Sequence, residues 1–329
     1  MSFKTVLFID LLYSENGSFD DDFNAIQEAL PEVRCHHLKC NERNGFLGVI
    51  LTARNVLSCR YEKVVILSSK VTQLAILAPL GLLKKIYTIY HFMPKSRRRL
   101  HTYLLPALSK FFSFATYTDA VSGILGEIVG FRPPVLPSRI TNKTESERIL
   151  REKFCSSSSE LRVLVPGIRT GVRKFIEPEA LVRQLRHATG IKKIQLFIQG
   201  DSVDTYAGNP NIKFINNGIP KNEYDALYRN CHVIAVEFDS SYEVRASGVI
   251  LDAMANGCLV LTSAHAINSD YDFPHSIVCD IERIGMRISQ ILSSASLQSL
   301  LPGANCKEFG HRWRRFLNLS PKRPNSDDI

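Results

Sequence analysis

The run Tyr242-Glu243-Val244-Arg245-Ala246-Ser247-Gly248-Val249-Ile250-Leu251-Asp252 gathers two hydroxyls, a glycine, a cation and two carboxylates. It lies between two apolar runs, 233–237 and 259–262, which read as buried parallel strands. A helix is expected over 248–255, starting where the polar loop ends. Its first amides have no intrahelical acceptor and its dipole adds positive charge. An anion such as a diphosphate is therefore favoured at Ser247-Gly248. Gly248 lets a phosphate approach the backbone closely. Arg245 adds a charge-assisted contact. Asp252 lies about one turn inside the helix, where a carboxylate can accept hydrogen bonds from a ribose diol.

Alternating strand and helix patterns must position these residues. In the first half, strands are expected at 6–10, 36–38, 64–69, 86–91 and 114–118. Helices are expected up to Leu30 and over 46–57, 73–83 (bent near Pro79), 100–112 and 120–129, the last ended by Gly130. Residues 139–160 are polar and serine-rich, as a linker would be. The alternation then restarts, with strands at 161–165, 193–199, 212–215, 233–237 and 259–262 and helices at 178–188, 221–229 and 248–255. Gly257 closes the last of these, and an amphipathic helix is expected over 306–319. Repeated βα units predict an α/β chain with two doubly wound parallel sheets. Domains are placed at 1–145 and 146–320, with 321–329 a disordered tail. Ligands of such folds bind at the carboxyl ends of the strands, here in an expected cleft between the domains.

The segment from Tyr242 to Gly257, followed by Cys258-Leu259-Val260, resembles the donor-binding segment of GT-B glycosyltransferases. More narrowly, it is similar to bacterial-type family 4 and family 1-like members with a Tyr…Arg-Ala-Ser-Gly-Val…(Glu/Asp)-Ala pattern. The resemblance implies the GT-B fold, with two Rossmann-like domains. The first would bind the acceptor and the second the nucleotide sugar. It gives Asp252 the ribose and Ser247, Gly248 and Val249 the phosphates. Many retaining members carry two glutamates eight positions apart. Here Asp252 stands for the second, and Glu243, nine positions earlier, is the candidate for the sugar contact. The run Val165-Pro166-Gly167-Ile168-Arg169-Thr170-Gly171-Val172-Arg173-Lys174 matches a Gly-Arg…Lys pattern whose cations clamp the donor diphosphate. Gly167 and Arg169 begin that match, and Arg173 or Lys174 is the second cation. Two fixed cations neutralise charge on a departing diphosphate, so no obligatory metal or other cofactor is expected beyond a UDP- or GDP-sugar substrate.

Other candidates are weaker. The Asn16-Gly17-Ser18 loop follows the first strand, where GT-B acceptor or donor contacts occur, and also reads as a plain Asn-Gly turn. His91 ends a strand and either faces the cleft or is a hydrogen-bonded core histidine. Asp10 or Asp20 would act as base if the enzyme inverts. If it retains configuration, the slightly favoured outcome, the leaving phosphate takes the acceptor proton. Cys35-His36-His37 with Cys40 lacks a second half-site of zinc-ligand spacing and reads as half-buried strand, so no metal site is expected.

The 329 residues carry eight cysteines without a CxxC pair and a net charge of +9. Core-type reduced thiols and the absence of a signal-like start predict a cytoplasmic chain. The cations are not arranged as a nucleic-acid reading module, so no nucleic acid is expected. Residues 84–112 mix cations and aromatics. They read either as a peripheral contact with an anionic membrane or as a solvated basic loop beside a core helix. The function expected is transfer of a hexose to a glycan or lipid-linked acceptor in polysaccharide or glycoconjugate synthesis. The alternatives are a sugar-nucleotide epimerase of the same fold and a catalytically degenerate partner subunit.

Overall fold

The computed structural model describes residues 4–13, 19–41, 45–58, 60–91, 98–137, 143–156, 159–167, 173–200, 209–216, 219–238, 247–262, 278–293 and 306–319. They form two compact units, one of residues 1–140 with 304–329 and the other of 141–303.

The first unit holds a five-stranded parallel sheet in the order β2-β1-β3-β4-β5. The strands are β1 (Lys4–Tyr13), β2 (Val33–Asn41), β3 (Lys63–Ser68), β4 (Ile86–Tyr90) and β5 (Phe112–Thr116). All five residues of β4 are buried, as a strand covered by helices on both faces requires. Val6 and Phe8 point to the face packed by α1 (Phe19–Ala29). Leu11 points the other way, against Gly48 of α2 (Gly45–Leu57). Beside α2 pack α3 (Val71–Leu77) and then α4 (Arg98–Leu108). The bend expected near Pro79 is a change to a 3-10 turn, Ala78–Leu82. The helix α5 (Asp119–Val129) is capped by the Thr118 hydroxyl, which accepts from the Val121 amide at 3.2 Å, and ends at Gly130 with φ 82°.

The second unit holds a six-stranded parallel sheet in the order β11-β10-β9-β6-β7-β8. These are β6 (Glu160–Val165), β7 (Lys193–Gln199), β8 (Ile212–Ile215), β9 (Val233–Ala235), β10 (Leu259–Leu261) and β11 (Val278–Cys279). Its helices are α6 (Lys143–Ser156), α7 (Pro178–Thr189), α8 (Lys221–Asn230), α9 (Gly248–Ala255) and α10 (Ile284–Ser293).

Two expectations are corrected. The segment read as a linker contains α6, a 14-residue helix. Leu150 and Phe154, one turn apart, are buried in the second core, while Arg148 pairs with Glu145 and Glu152 on the outer face. Most of the polar composition lies on that outer face, although Ser146 and Lys153 are buried.

The last helix, α11 (Cys306–Phe316), belongs to the first unit and not to the second. Phe309 and Trp313 are buried among Phe8, Ile26 and Leu30. The Trp313 indole donates to the Pro137 carbonyl at 3.2 Å, and Arg314 pairs with Glu32 at 2.6 Å. An apolar stripe identifies an amphipathic helix but not the sheet it will cover. The expected tail, 321–329, lies outside the described residues.

Trp313→Ala removes the largest fully buried side chain of the first core. It is expected to cost about 3–5 kcal/mol in urea unfolding. A loss below about 1 kcal/mol would mean that α11 contributes little to that unit.

Candidate functional site

In the second unit β7 and β8 lie on one side of β6, and β9, β10 and β11 on the other. The order therefore reverses between β6 and β9. Loops leaving the carboxyl ends of these two strands part there and open a crevice in the sheet edge. The Gly167–Lys174 segment follows β6, and the segment leading to α9 follows β9.

The described parts of these segments meet. Arg173 forms an antiparallel bridge with Phe238, and the Lys174 amide donates to the Glu237 carbonyl at 2.8 Å. Gly167 is buried, its amide 3.5 Å from Oε1 of Gln199 at the end of β7. Arg173 is half-buried and Lys174 exposed. Glu237, which the sequence reading passed over, is thus set beside the two cations along the main chain.

The helix α9 spans the residues expected of it. Ser247 is its N-cap, buried, with extended backbone and its hydroxyl 3.5 Å from the Ile250 amide. The Gly248 and Val249 amides open the first turn, where the helix offers them no acceptor. Both residues are half-buried, as is Asp252 one turn on. Asn256 caps the far end, its side chain donating to the Asp252 carbonyl at 3.0 Å.

Close packing behind α9 fixes its position. Gly257 has φ 58°, and a Cβ there would lie 2.7 Å from both the Leu150 amide and the Ser146 carbonyl of α6. Only glycine meets both demands. Beside it the buried Lys153 ammonium donates to the Tyr228 carbonyl at 2.9 Å, the Cys231 carbonyl at 3.0 Å and the Asn256 carbonyl at 2.6 Å. These close the carboxyl ends of α8 and α9, where the helix dipole favours a cation. Cys258 Sγ lies 3.3 Å from the same ammonium, and burial raises its thiol pKa.

His232 completes this node. Its Nδ1 accepts from the Arg162 amide at 3.0 Å, which leaves Nε2 to donate to the Lys153 carbonyl at 3.1 Å. Burial, and secondarily the charge of Arg162, pull its pKa from 6.5 to about 4. Tyr228 joins α8 to the site. Its hydroxyl is 2.8 Å from that of Tyr224, and burial, then Tyr224 and the Asp252 charge, hold its pKa well above 10. Tyr228 therefore remains a phenol beside a carboxylate. The only sequence signal for this pair was two tyrosines four residues apart on a helix.

Arg169, Glu243, Arg245, Asn16 and Gly17 lie outside the described residues. In the first unit His91 ends β4 as expected. It is packed edge-on against Phe19 and Tyr117 at 4.8 and 5.1 Å, and its Nε2 touches the Leu67 carbonyl. Asp10 is 0% exposed. One of its oxygens accepts from the Leu12 amide at 3.0 Å and from the Ser68 hydroxyl, the other has no partner, and burial raises its pKa. Asp20 pairs with Lys39 at 2.8 Å and approaches His37 at 3.6 Å. Neither stands as an open base.

Cys35, His36, His37 and Cys40 lie on β2. His37 stacks on Phe23, His36 meets Tyr61, and burial pushes the Cys35 thiol up to about 12. Among the described residues no group of three His, Cys, Asp or Glu side chains is placed to hold a metal.

No known family profile matches the chain, and no curated protein matches it. Solved structures do. Anabaena HepE, determined with UDP, is 11% identical over 95% of each chain with a TM-score of 0.52. The trehalose-6-phosphate synthase OtsA is 10% identical over 97% of this chain and 100% of its own, with a TM-score of 0.58. A Listeria monocytogenes protein described as a UDP-N-acetylglucosamine 2-epimerase is 11% identical over 96% and 95%, with a TM-score of 0.55. Two parallel, helix-covered sheets and these likenesses over nearly the whole chain show the GT-B fold.

Two measurements test the node behind α9. Lys153→Met leaves the Tyr228, Cys231 and Asn256 carbonyls with only the weak Cys258 thiol as side-chain donor and is expected to cost about 3 kcal/mol in chemical unfolding. A cost below about 1 kcal/mol would show those carbonyls satisfied without it. His232 binds a proton more readily when unfolded, so its contribution is complete above pH 6.5 and is lost as the pH falls toward about 4. The stability of His232→Gln should fall less steeply across that window than the wild type's, and parallel curves would exclude His232 as the titrating group.

Proposed function

We propose that the chain is a glycosyltransferase that moves a hexose from a nucleotide-sugar donor to a glycan or lipid-linked acceptor. The observation that carries this reading is the start of α9 at the strand-order reversal of the second unit, with Asp252 one turn inside. In this reading the Gly248 and Val249 amides receive the donor diphosphate. Arg173 and Lys174, joined by Arg169 and Arg245, neutralise it as it departs. Asp252 accepts from the ribose diol and Glu243 contacts the sugar.

The cations take the part a metal plays in other transferases, so the reading needs no metal. The burial of Asp10 and the pairing of Asp20 favour retention, in which the departing phosphate receives the acceptor proton. The carboxyl ends of the first unit's strands, with His91 and the Asn16-Gly17 loop, are assigned to the acceptor. The likeness to HepE, solved with UDP, favours UDP as the carrier.

A second reading, a sugar-nucleotide epimerase, is favoured by the likeness to the Listeria protein. Turnover of a UDP-sugar without any acceptor would decide for it.

The test is a thermal-shift titration with UDP, GDP, CMP and dTDP on the wild type and Asp252→Ala. One nucleotide, at a hundred times its Kd, should stabilise the wild type by about 2.7 kcal/mol. The half-exposed Asp252 can be truncated without opening a core, so the variant should fold normally and lose most of that gain. No shift with any nucleotide would overturn the donor site and leave a catalytically degenerate partner subunit as the better reading.

A further inference from the structure

The basic charge of the chain is concentrated in one stretch of the first unit. From Arg43 to Thr118 the sequence carries twelve Lys and Arg side chains and one acid, Glu62. That excess is larger than the +9 of the whole chain. The fold gathers several of these cations, with Lys4 from outside the stretch, along the amino-terminal edge of the sheet. Lys4 and Lys63 begin β1 and β3, Lys84 and Lys85 immediately precede β4, and Lys110 lies just before β5. The β3–β4 register pairs Val64 with Ile86, which sets Lys63 beside Lys85. Both ammonium groups lie over the Tyr87 ring, at 5.6 and 5.4 Å. Desolvation and then the charge of Lys85 lower the Lys63 pKa.

The same edge is apolar at its tip. Leu82 and Leu83, 75% and 71% exposed, end the 3-10 turn directly before Lys84-Lys85. The exposed Leu57 ends α2, which packs against that turn. An open groove of 270 Å³ runs beside the tip, lined by Leu82, Leu83, Lys84, Lys85, Lys110 and Ser113 among others. Gly81 lets the turn pack closely on the segment before β5, because a Cβ there would lie 2.5 Å from the Phe111 carbonyl oxygen.

We propose that this edge docks on an anionic lipid bilayer, Leu82 and Leu83 entering the acyl boundary while Lys63, Lys85 and Lys110 gather headgroup phosphates in and around the groove. Crowded lysines alone would suit any polyanion. The two leucines decide for lipid, because a nucleic acid or polyphosphate offers them nothing apolar and leaves them in water. An apolar tip ringed by cations satisfies both halves of interfacial binding, area burial and attraction to anionic headgroups. The docking edge is the opposite end of the sheet from the strands' carboxyl ends, and it stands independently of the donor-site reading.

Co-sedimentation of the full chain with phosphatidylcholine vesicles, with and without phosphatidylglycerol, tests it. Binding is expected only to the phosphatidylglycerol vesicles. Lys85→Gln and Lys110→Gln should each weaken it by about five-fold. Leu82→Ser with Leu83→Ser should weaken it by roughly ten-fold or more, while retention on a heparin column and the melting temperature stay unchanged. In Leu83→Trp, brominated lipid should quench the new indole and leave the buried Trp313 unaffected. Absence of wild-type binding overturns the proposal. So does undiminished vesicle binding by the double serine variant, which would mark the edge as a site for soluble polyanions.

Discussion

The second unit depends on how the Lys153 ammonium is satisfied. Removing a cation from water is costly, and among the described residues no carboxylate neutralises this one. The carboxyl ends of two helices do so instead. Each helix end brings carbonyls that lack intrahelical donors and the negative pole of its dipole. One side chain from α6 therefore resolves three deficits together, its own charge and the open ends of α8 and α9. The solution holds only while α6, α8 and α9 keep their relative positions. A helix of eight residues has little stability of its own, so the amino terminus of α9 is set by what grips its carboxyl end. Gly257 acts in the same sense, since its contact with α6 leaves no room for a side chain. The amides proposed to receive a diphosphate are thus placed by contacts at the far end of their own helix.

The two units use one topological device differently. Each sheet begins with a strand that the chain later flanks on both sides, β1 in the first and β6 in the second. Beyond β6 the reversal is lined by a buried glycine, two cations and a helix start. Beyond β1 it meets Asp10, sealed under Ser68 and the Leu12 amide. A carboxyl buried with one oxygen unpartnered is poorly suited to shuttle protons with a solvent-facing substrate, and its raised pKa reflects that burial. The reversal in the first unit is consequently ordered by local packing, and charged-ligand chemistry is better supplied in the second.

What could be read from the sequence follows from what each signal measures. The bounds of β7, β8 and α9 are those expected, because apolar continuity or a polar-to-apolar switch marks both ends. The helix α6 was hidden because composition averages over its faces, and only two buried apolar residues one turn apart, Leu150 and Phe154, mark its core-facing side. The seat of α11 was hidden for a different reason. Its contacts with Glu32, Ala29 and Pro137 span more than 170 residues, and no local pattern encodes partners so distant. The positions of Gly248 and Asp252 on α9 and of Gly167 after β6 were legible through helix-start and turn chemistry. Lys153, His232 and the Tyr224–Tyr228 pair were not, because each acts through main-chain carbonyls or through a neighbour brought in by the fold.

Charge distribution separates the ends of the first sheet by a simple physical rule. Parallel strands put all their amino ends on one edge and all their carboxyl ends on the other, so a residue type favoured at strand starts accumulates on a single edge. Lysine at the starts of β1, β3, β4 and β5 produces the basic edge without any contiguous basic motif. Such a row repels itself: the Lys63 pKa is lowered first by desolvation and then by the charge of Lys85, and Glu62 is the one acid in that stretch of sequence. Within the fold this self-repulsion is offset only in part, by the contact of Lys84 with the Tyr61 carbonyl and of Lys63 and Lys85 with the Tyr87 ring. An anionic surface relieves it, and the two exposed leucines at the same edge restrict that surface to one with an apolar interior.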